Sequence, residues 1–222
     1  MKKAPAKSPV PQPIRRSLVV LTADLDMENA VKGILTRGKA LGIRELVEDT
    51  DVQFVRPFNR DAGCYKTADS FLRMFCLQYE HALVFFDRDG SGREELTAEA
   101  IESDVEGRLS RNGWENRARA IVIDPELEAW IWSPSPNVDL ELGWKNHDPC
   151  LRDWLVEEGF LSPKQVKPRH PKEAMERALR RVGVSRSASI YYNLARKVSL
   201  AHCTDRAFQK FKNTLTEWFG VV

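Results

Sequence analysis

The chain is most informative first in what it lacks. None of its apolar runs approaches the ~20 residues that a membrane-spanning helix needs. The opening Met1-Lys-Lys-Ala-Pro5, followed by Pro9, Pro11 and Pro13, contains no apolar stretch for a signal peptide. Cysteine is sparse: Cys64, Cys76, Cys150 and Cys203 are scattered, without a CxxC pair or zinc-site spacing. That argues against a disulfide framework and for reduced thiols in a cytoplasmic protein. His81, His147, His170 and His202 are unclustered, so no His or Cys constellation suggests nucleophilic or zinc chemistry. There is no P-loop lysine motif, no G-x-G-x-x-G and no internal repeat.

What remains is an ordinary globular composition, 42% hydrophobic and 30% charged over 222 residues, enough for one domain with an appendage. The net charge of +2 conceals an asymmetry. Residues 81–160 hold 8 basic against 18 acidic residues, whereas residues 161–222 hold 13 against 4. An acidic middle beside a basic end suits metal binding next to an anionic polymer, and equally a basic end docked on the middle.

The focal stretch is Ala82-Leu-Val-Phe-Phe-Asp-Arg-Asp-Gly-Ser-Gly92. An apolar run of this length bounded by a glycine turn predicts a strand buried on both faces. Asp87 and Asp89 lie two apart, so in extended chain both carboxylates point to one side. Paired carboxylates repel unless a cation joins them, and hard Mg²⁺ or Mn²⁺ prefers such oxygen ligands. A solvated, capping turn is the alternative. The spacing also matches the start of an EF-hand loop, but the twelfth position is Ala98 where a bidentate Glu is required.

Ser17–Ala23 predicts another buried strand, ending in Asp24, Asp26 and Glu28 ahead of a helix striped by Ala30, Val31, Ile34 and Leu35. Asp51–Arg56 alternates and is stopped by Pro57, as an edge strand would be. A polar loop is expected over 59–69, where Arg60 and Lys66 are available to a phosphate. An amphipathic helix marked by Phe71, Met74, Phe75 and Tyr79 then leads into the central strand, with His81 preceding it. After a helix with Leu96, Ile101, Val105 and Leu109, the strand Ala118–Ile123 also closes on acids, Asp124-Pro-Glu-Leu-Glu128. Asp124 as N-cap and Pro125 at the first helical position would give Glu126 and Glu128 a capping role without metal. Trp130 and Trp132 read as core. Residues 133–148 read as a connector, and the remainder as helices on Leu151/Trp154/Leu155, Met175/Ala178/Leu179/Val182 and Phe208/Phe211/Leu215/Trp218/Phe219, the last capped by Thr204 or Asp205.

The alternation of strands and helices predicts a parallel α/β sheet of about four strands with a helical C-terminal extension. The expected organisation is a disordered basic, Pro-rich leader over 1–16, an α/β domain over 17–135 and a helical subdomain over 136–222. Right-handed crossovers would bring three acidic strand ends to one sheet edge, where ligands bind.

An acid after the first strand and Asp-x-Asp after the third resemble the Toprim fold of topoisomerases, primases and phage-defence nucleases. Ile121-Val-Ile-Asp-Pro-Glu-Leu-Glu-Ala-Trp-Ile-Trp132, Pro171-Lys-Glu-Ala174 and Ser199-Leu-Ala-His-Cys-Thr-Asp-Arg-Ala-Phe208 further resemble the small Toprim-like component of bacterial methylation-associated defence systems. The likeness runs over about 17–219. It implies Asp24, with Glu28 as nearest substitute, in the place of the catalytic Glu. It implies Asp87 and Asp89 as the Mg²⁺ or Mn²⁺ pair, and Glu126 or Glu128 as a supplementary ligand. Asp24 departs from the family pattern, being one methylene shorter. The implied activity is metal-dependent cleavage of nucleic-acid phosphodiesters alongside other defence proteins, with Lys164, Lys167, Arg169, Arg180 and Arg181 holding the backbone. A non-catalytic subunit binding nucleic acid or defence components is the other reading.

Overall fold

The structure, a computed structural model, describes residues 15–200 and 203–221. The expected leader falls almost wholly outside the described residues, as does His202. In chain order the elements are β1 (Arg16–Thr22), α1 (Leu25–Leu35), the short α2 (Gly38–Leu41), β2 (Val52–Val55), α3 (Arg60–Leu72), β3 (Tyr79–Asp87), α4 (Ala98–Leu109), β4 (Ala118–Ile123), α5 (Pro136–Glu141), α6 (Leu151–Glu157), α7 (Pro171–Arg181), α8 (Ala188–Lys197) and α9 (Arg206–Phe219).

The four strands form one all-parallel sheet in the order β2-β1-β3-β4. The register sets Val20 beside both Phe54 and Leu83, and Val84 beside Ala120. Leu18 to Leu21 and Ala82 to Phe86 are wholly buried, as central parallel strands covered on both faces must be. From β1 the chain steps out to β2, returns past β1 to β3, and continues to β4. The reversal therefore lies between β1 and β3, whose carboxyl ends carry Asp24 and Asp87.

Right-handed crossovers set α1 on one face and α3 with α4 on the other. The face bearing His81 and Phe85 is covered by α9: Phe211 meets Phe85 edge-on at 4.9 Å and Trp218 stacks on His81 at 4.2 Å. Along α1 lies α8, so close that a Cβ at Gly33 would sit 2.6 Å from the Tyr192 carbonyl oxygen and 2.7 Å from Ala195 Cβ. The outer edge of β4 is closed by side chains. The N–H groups of Val122 and Ala120 donate to Glu102 Oε1 (2.9 Å) and Glu106 Oε1 (3.0 Å), while Arg206 donates to the Val122 carbonyl (2.9 Å). Such closure removes an open edge that would otherwise template pairing with another chain.

Several local expectations are corrected. The stretch expected as a polar loop after Asn59 is α3, whose Cys64, Ala68 and Leu72 recur every four residues and are buried. Leu72 apart, the residues of this stripe are small, which disguises it. The expected Phe71–Tyr79 helix does not exist as such: α3 ends at Leu72, a 3₁₀ turn spans Arg73–Phe75, Met74 is exposed and Tyr79 opens β3. His81 lies within β3, not before it. Asp124 is not a helix cap. The Asp124–Pro125 bond is cis, only a 3₁₀ turn (Leu127–Trp130) follows, and Asp124 pairs with Arg88 at 3.3 Å. The connector contains α5, started by Ser135, which accepts from the Asn137 N–H, and by Pro136. No named apolar stripe marked α8, which buries Ile190, Tyr191 and Leu194. Trp132 is core, donating to the Pro171 carbonyl, and Asp205 caps α9 by accepting from the Phe208 N–H.

Candidate metal centre

A cleft of about 260 Å³ opens at the carboxyl edge of the sheet, over the reversal between β1 and β3. Seven carboxyl groups line it, from Asp24, Asp26, Asp61, Asp87, Asp89, Glu126 and Glu128, against three cations, Arg60, Lys172 and Arg186. This is where ligands bind in open parallel sheets.

Each acid arrives for a local reason. Asp24 leaves β1 in extended conformation and caps α1, its Oδ1 accepting from the Met27 N–H at 2.9 Å. Asp87 ends β3 with its side chain turned into the cleft, and the glycine turn that follows, with Gly90 at φ 89°, carries exposed Asp89 to the rim. Asp61 enters from the first turn of α3, accepting the Asp87 N–H at 2.9 Å. Glu126 caps a helix other than the expected one: its Oε1 accepts from the Lys172 N–H (2.9 Å) in the first turn of α7. Glu128 is buried, accepts from the Tyr191 hydroxyl at 2.6 Å and pairs with Arg186, whose Nη2 lies 2.9 Å from Oε1.

The electrostatics divide the cleft. Burial first, then the charges of Asp61, Glu128, Asp24 and Glu126, push the Asp87 carboxyl well above the usual range. Its Oδ1 is closed to solvent and has no hydrogen-bond partner among the described residues. Burial likewise raises Asp61, against the opposing Asp87 N–H, and raises Glu126, against the Lys172 N–H. Tyr191, held up by burial and by Glu128, stays protonated as the donor that Glu128 needs.

The acids expected from sequence are thus mostly brought together: Asp24, Asp87, Asp89, Glu126 and Glu128 share the cleft. Glu28 does not line it, pairing instead with Lys32 (2.9 Å) and Arg56 (3.3 Å). The basic set is spread out. Lys164, Lys167 and Arg169 precede α7, whereas Arg180 and Arg181 lie in its last turn, roughly 12 Å along the helix from Lys172. Sequence reasoning missed Asp61, Lys172 and Arg186 as site residues. Asp61 follows a strand end like the other acids; Arg186 stands alone in a Ser-rich loop with no signal at all.

An oxygen-only donor set with one carboxylate oxygen unpartnered fits a hard divalent cation. Among the described residues, however, no three His, Cys, Asp or Glu side chains are already gathered to hold an ion. No helix among them is long and apolar enough to cross a membrane. No family model, no curated protein and no solved structure matches the chain.

Proposed function

We propose that this protein is a Toprim-like component of a bacterial anti-phage defence system, working in the cytoplasm with other proteins of that system on nucleic-acid phosphodiesters. The observation that carries the chemical part is Asp87 Oδ1, buried and unpartnered at the reversal point of a parallel sheet, facing an excess of carboxylates. The defence assignment rests on the segments around Ile121–Trp132, Pro171–Ala174 and Ser199–Phe208.

In this reading Asp87 and Asp89 would hold Mg²⁺ or Mn²⁺, with Glu126 in support. Such an ion supplies Lewis acidity to a phosphoryl oxygen and lowers the pKa of bound water. Asp24 keeps one carboxylate oxygen outside its cap and is the group assigned to take the proton of an attacking water. Arg60 and Lys172 line the cleft and make no ion pair among the described residues, so their charges are available to phosphate oxygens; in this reading Lys164, Lys167 and Arg169 would supply further contacts to the nucleic-acid backbone.

A non-catalytic nucleic-acid-binding or defence-protein-binding subunit is favoured by one observation: Asp26 and Glu128 are already neutralised by Arg186, and Glu28 by Lys32 and Arg56. Calorimetry with Mn²⁺ and Mg²⁺ on the wild type and on Asp87→Asn/Asp89→Asn separates the readings, followed by cleavage assays on DNA and RNA. Binding lost in the double variant, with metal-dependent cleavage, supports the enzyme. Binding without cleavage supports the subunit with a structural ion. Absence of binding, with or without nucleic acid, overturns the metal site.

A further inference from the structure

The carboxylates of the cleft fall into two groups according to whether a protein cation already serves them. Arg186, in the loop before α8, donates from Nη2 (2.8 Å) and Nε (3.1 Å) to Asp26 Oδ2. The same Nη2 lies 2.9 Å from Glu128 Oε1, and Nη1 lies 3.0 Å from Glu176 Oε1. The guanidinium carbon sits 5.4 Å from the centre of the Tyr191 ring, whose hydroxyl donates to the same Glu128 oxygen. The fork is therefore fixed on all sides. Asp87 and Asp89, across the cleft, have no such partner: neither makes an ion pair among the described residues, and Asp87 Oδ1 accepts nothing.

We infer that Arg186 fills the second cation place of the cleft, so that the site takes one divalent ion, on the Asp87–Asp89 side. Many phosphoryl-transfer sites use two ions ~3.5–4 Å apart to clamp the attacking and leaving oxygens. Here a second ion on Asp26 and Glu128 would have to displace a guanidinium that cannot lose its charge, leaving it part-buried with two of its three carboxylate partners gone. Glu128, expected from sequence as a metal ligand, becomes a partner of Arg186. Arg186 is a positioning residue: it holds Glu128 in place and contributes a fixed positive charge to whatever phosphate enters. This inference rests on the proposed metal reading.

The test is the stoichiometry of Mn²⁺ binding to the full chain by calorimetry, with thermal melts to check folding. The wild type is expected to bind one ion, and Asp26→Asn to bind one ion with affinity within about twofold, as for independent positions. Arg186→Met frees Asp26 and Glu128 and is expected to bind a second ion. Two ions in the wild type, lost binding in Asp26→Asn, or a single ion in a folded Arg186→Met overturns the inference while leaving metal binding intact. No ion in any of the three overturns it together with the metal reading. Should Arg186→Met fail to fold, the wild-type stoichiometry and Asp26→Asn still decide.

Discussion

The backbone N–H of Asp87 donates to Asp61 Oδ1 at 2.9 Å, tying the end of β3 to the first turn of α3. Two acids thereby share one small volume, and one of them, Asp87, is left with a buried oxygen that accepts nothing. Folding places these carboxyl groups where burial raises both, with the charge of Asp61 adding to the rise of Asp87 and that of Asp24 to the rise of Asp61, against the opposing Asp87 N–H.

A raised carboxyl is a stability cost that appears as the pH climbs. Below the unfolded value, near ~3.9 for Asp, both states are protonated and nothing is lost. Above it the unfolded chain ionises freely while folded Asp87 resists, so stability falls as pH rises towards the folded pKa. Asp87→Asn is therefore expected to melt higher than wild type at pH 7 in chelator, by about 2–4 °C if roughly 1 kcal/mol is relieved in a chain of this size. The gap should close below about pH 4, and Mn²⁺ should stabilise the wild type only. Calorimetric scans across pH check this; a variant that melts lower at pH 7 would show that the ionised carboxylate is favourable in the fold.

The sheet was legible because β1 and β3 are near-continuous apolar runs, each closing on acids, and β4 repeats the pattern. The convergence of Asp24, Asp87, Asp89, Glu126 and Glu128 followed from the same logic, since parallel strands share one carboxyl edge. What stayed hidden has identifiable causes. The buried stripe of α3 is built from Gly63, Cys64 and Ala68, residues too small to read as a hydrophobic face. Glu126 caps α7, 46 residues further along, so its partner was not a local choice. Arg186 reaches Asp26 across 160 residues, and its role depends on α8 lying close against α1 at Gly33, a tertiary fact with no local periodicity.

His81 shows the opposite pH behaviour. Stacked on Trp218 within β3, it is lowered to about 4 by burial and by the nearby charges of Arg117 and Arg119, and its Nδ1 has no partner. The folded state favours the neutral ring, so the associated stability is present above the unfolded value of about 6.5 and is lost as pH falls towards the folded one. For a part-exposed ring the loss is on the order of 2 kcal/mol. His81→Phe, which keeps an aromatic against Trp218, is expected to flatten the pH 6.5 to 4.5 limb of a urea-denaturation series relative to wild type. An unchanged limb would assign the acid sensitivity to other groups.

The last prediction concerns the β4 edge. Glu102 is 3% exposed, accepts the Val122 N–H with Oε1, and is held by Arg206 (2.8 Å) and Lys210 (3.0 Å) on Oε2. A buried carboxylate in this position is retained because three donors compensate its desolvation. Removing it leaves the Val122 N–H without its acceptor and takes the buried carboxylate from two cations, which keep Glu99 and Glu106. Glu102→Ala is expected to cost about 3–5 kcal/mol, the range for breaking one side of a buried ion pair. Glu102→Gln preserves an acceptor for Val122 and should cost clearly less. Because the edge then lies open, the alanine variant should also associate at raised concentration, strand edge to strand edge. Denaturant titrations and light scattering test the two effects separately. A loss below about 1 kcal/mol, the scale of an exposed pair, would mean that Arg206 and Lys210 find solvent or Glu99 and Glu106 at little cost. In that case the edge would be closed by packing and not by charge.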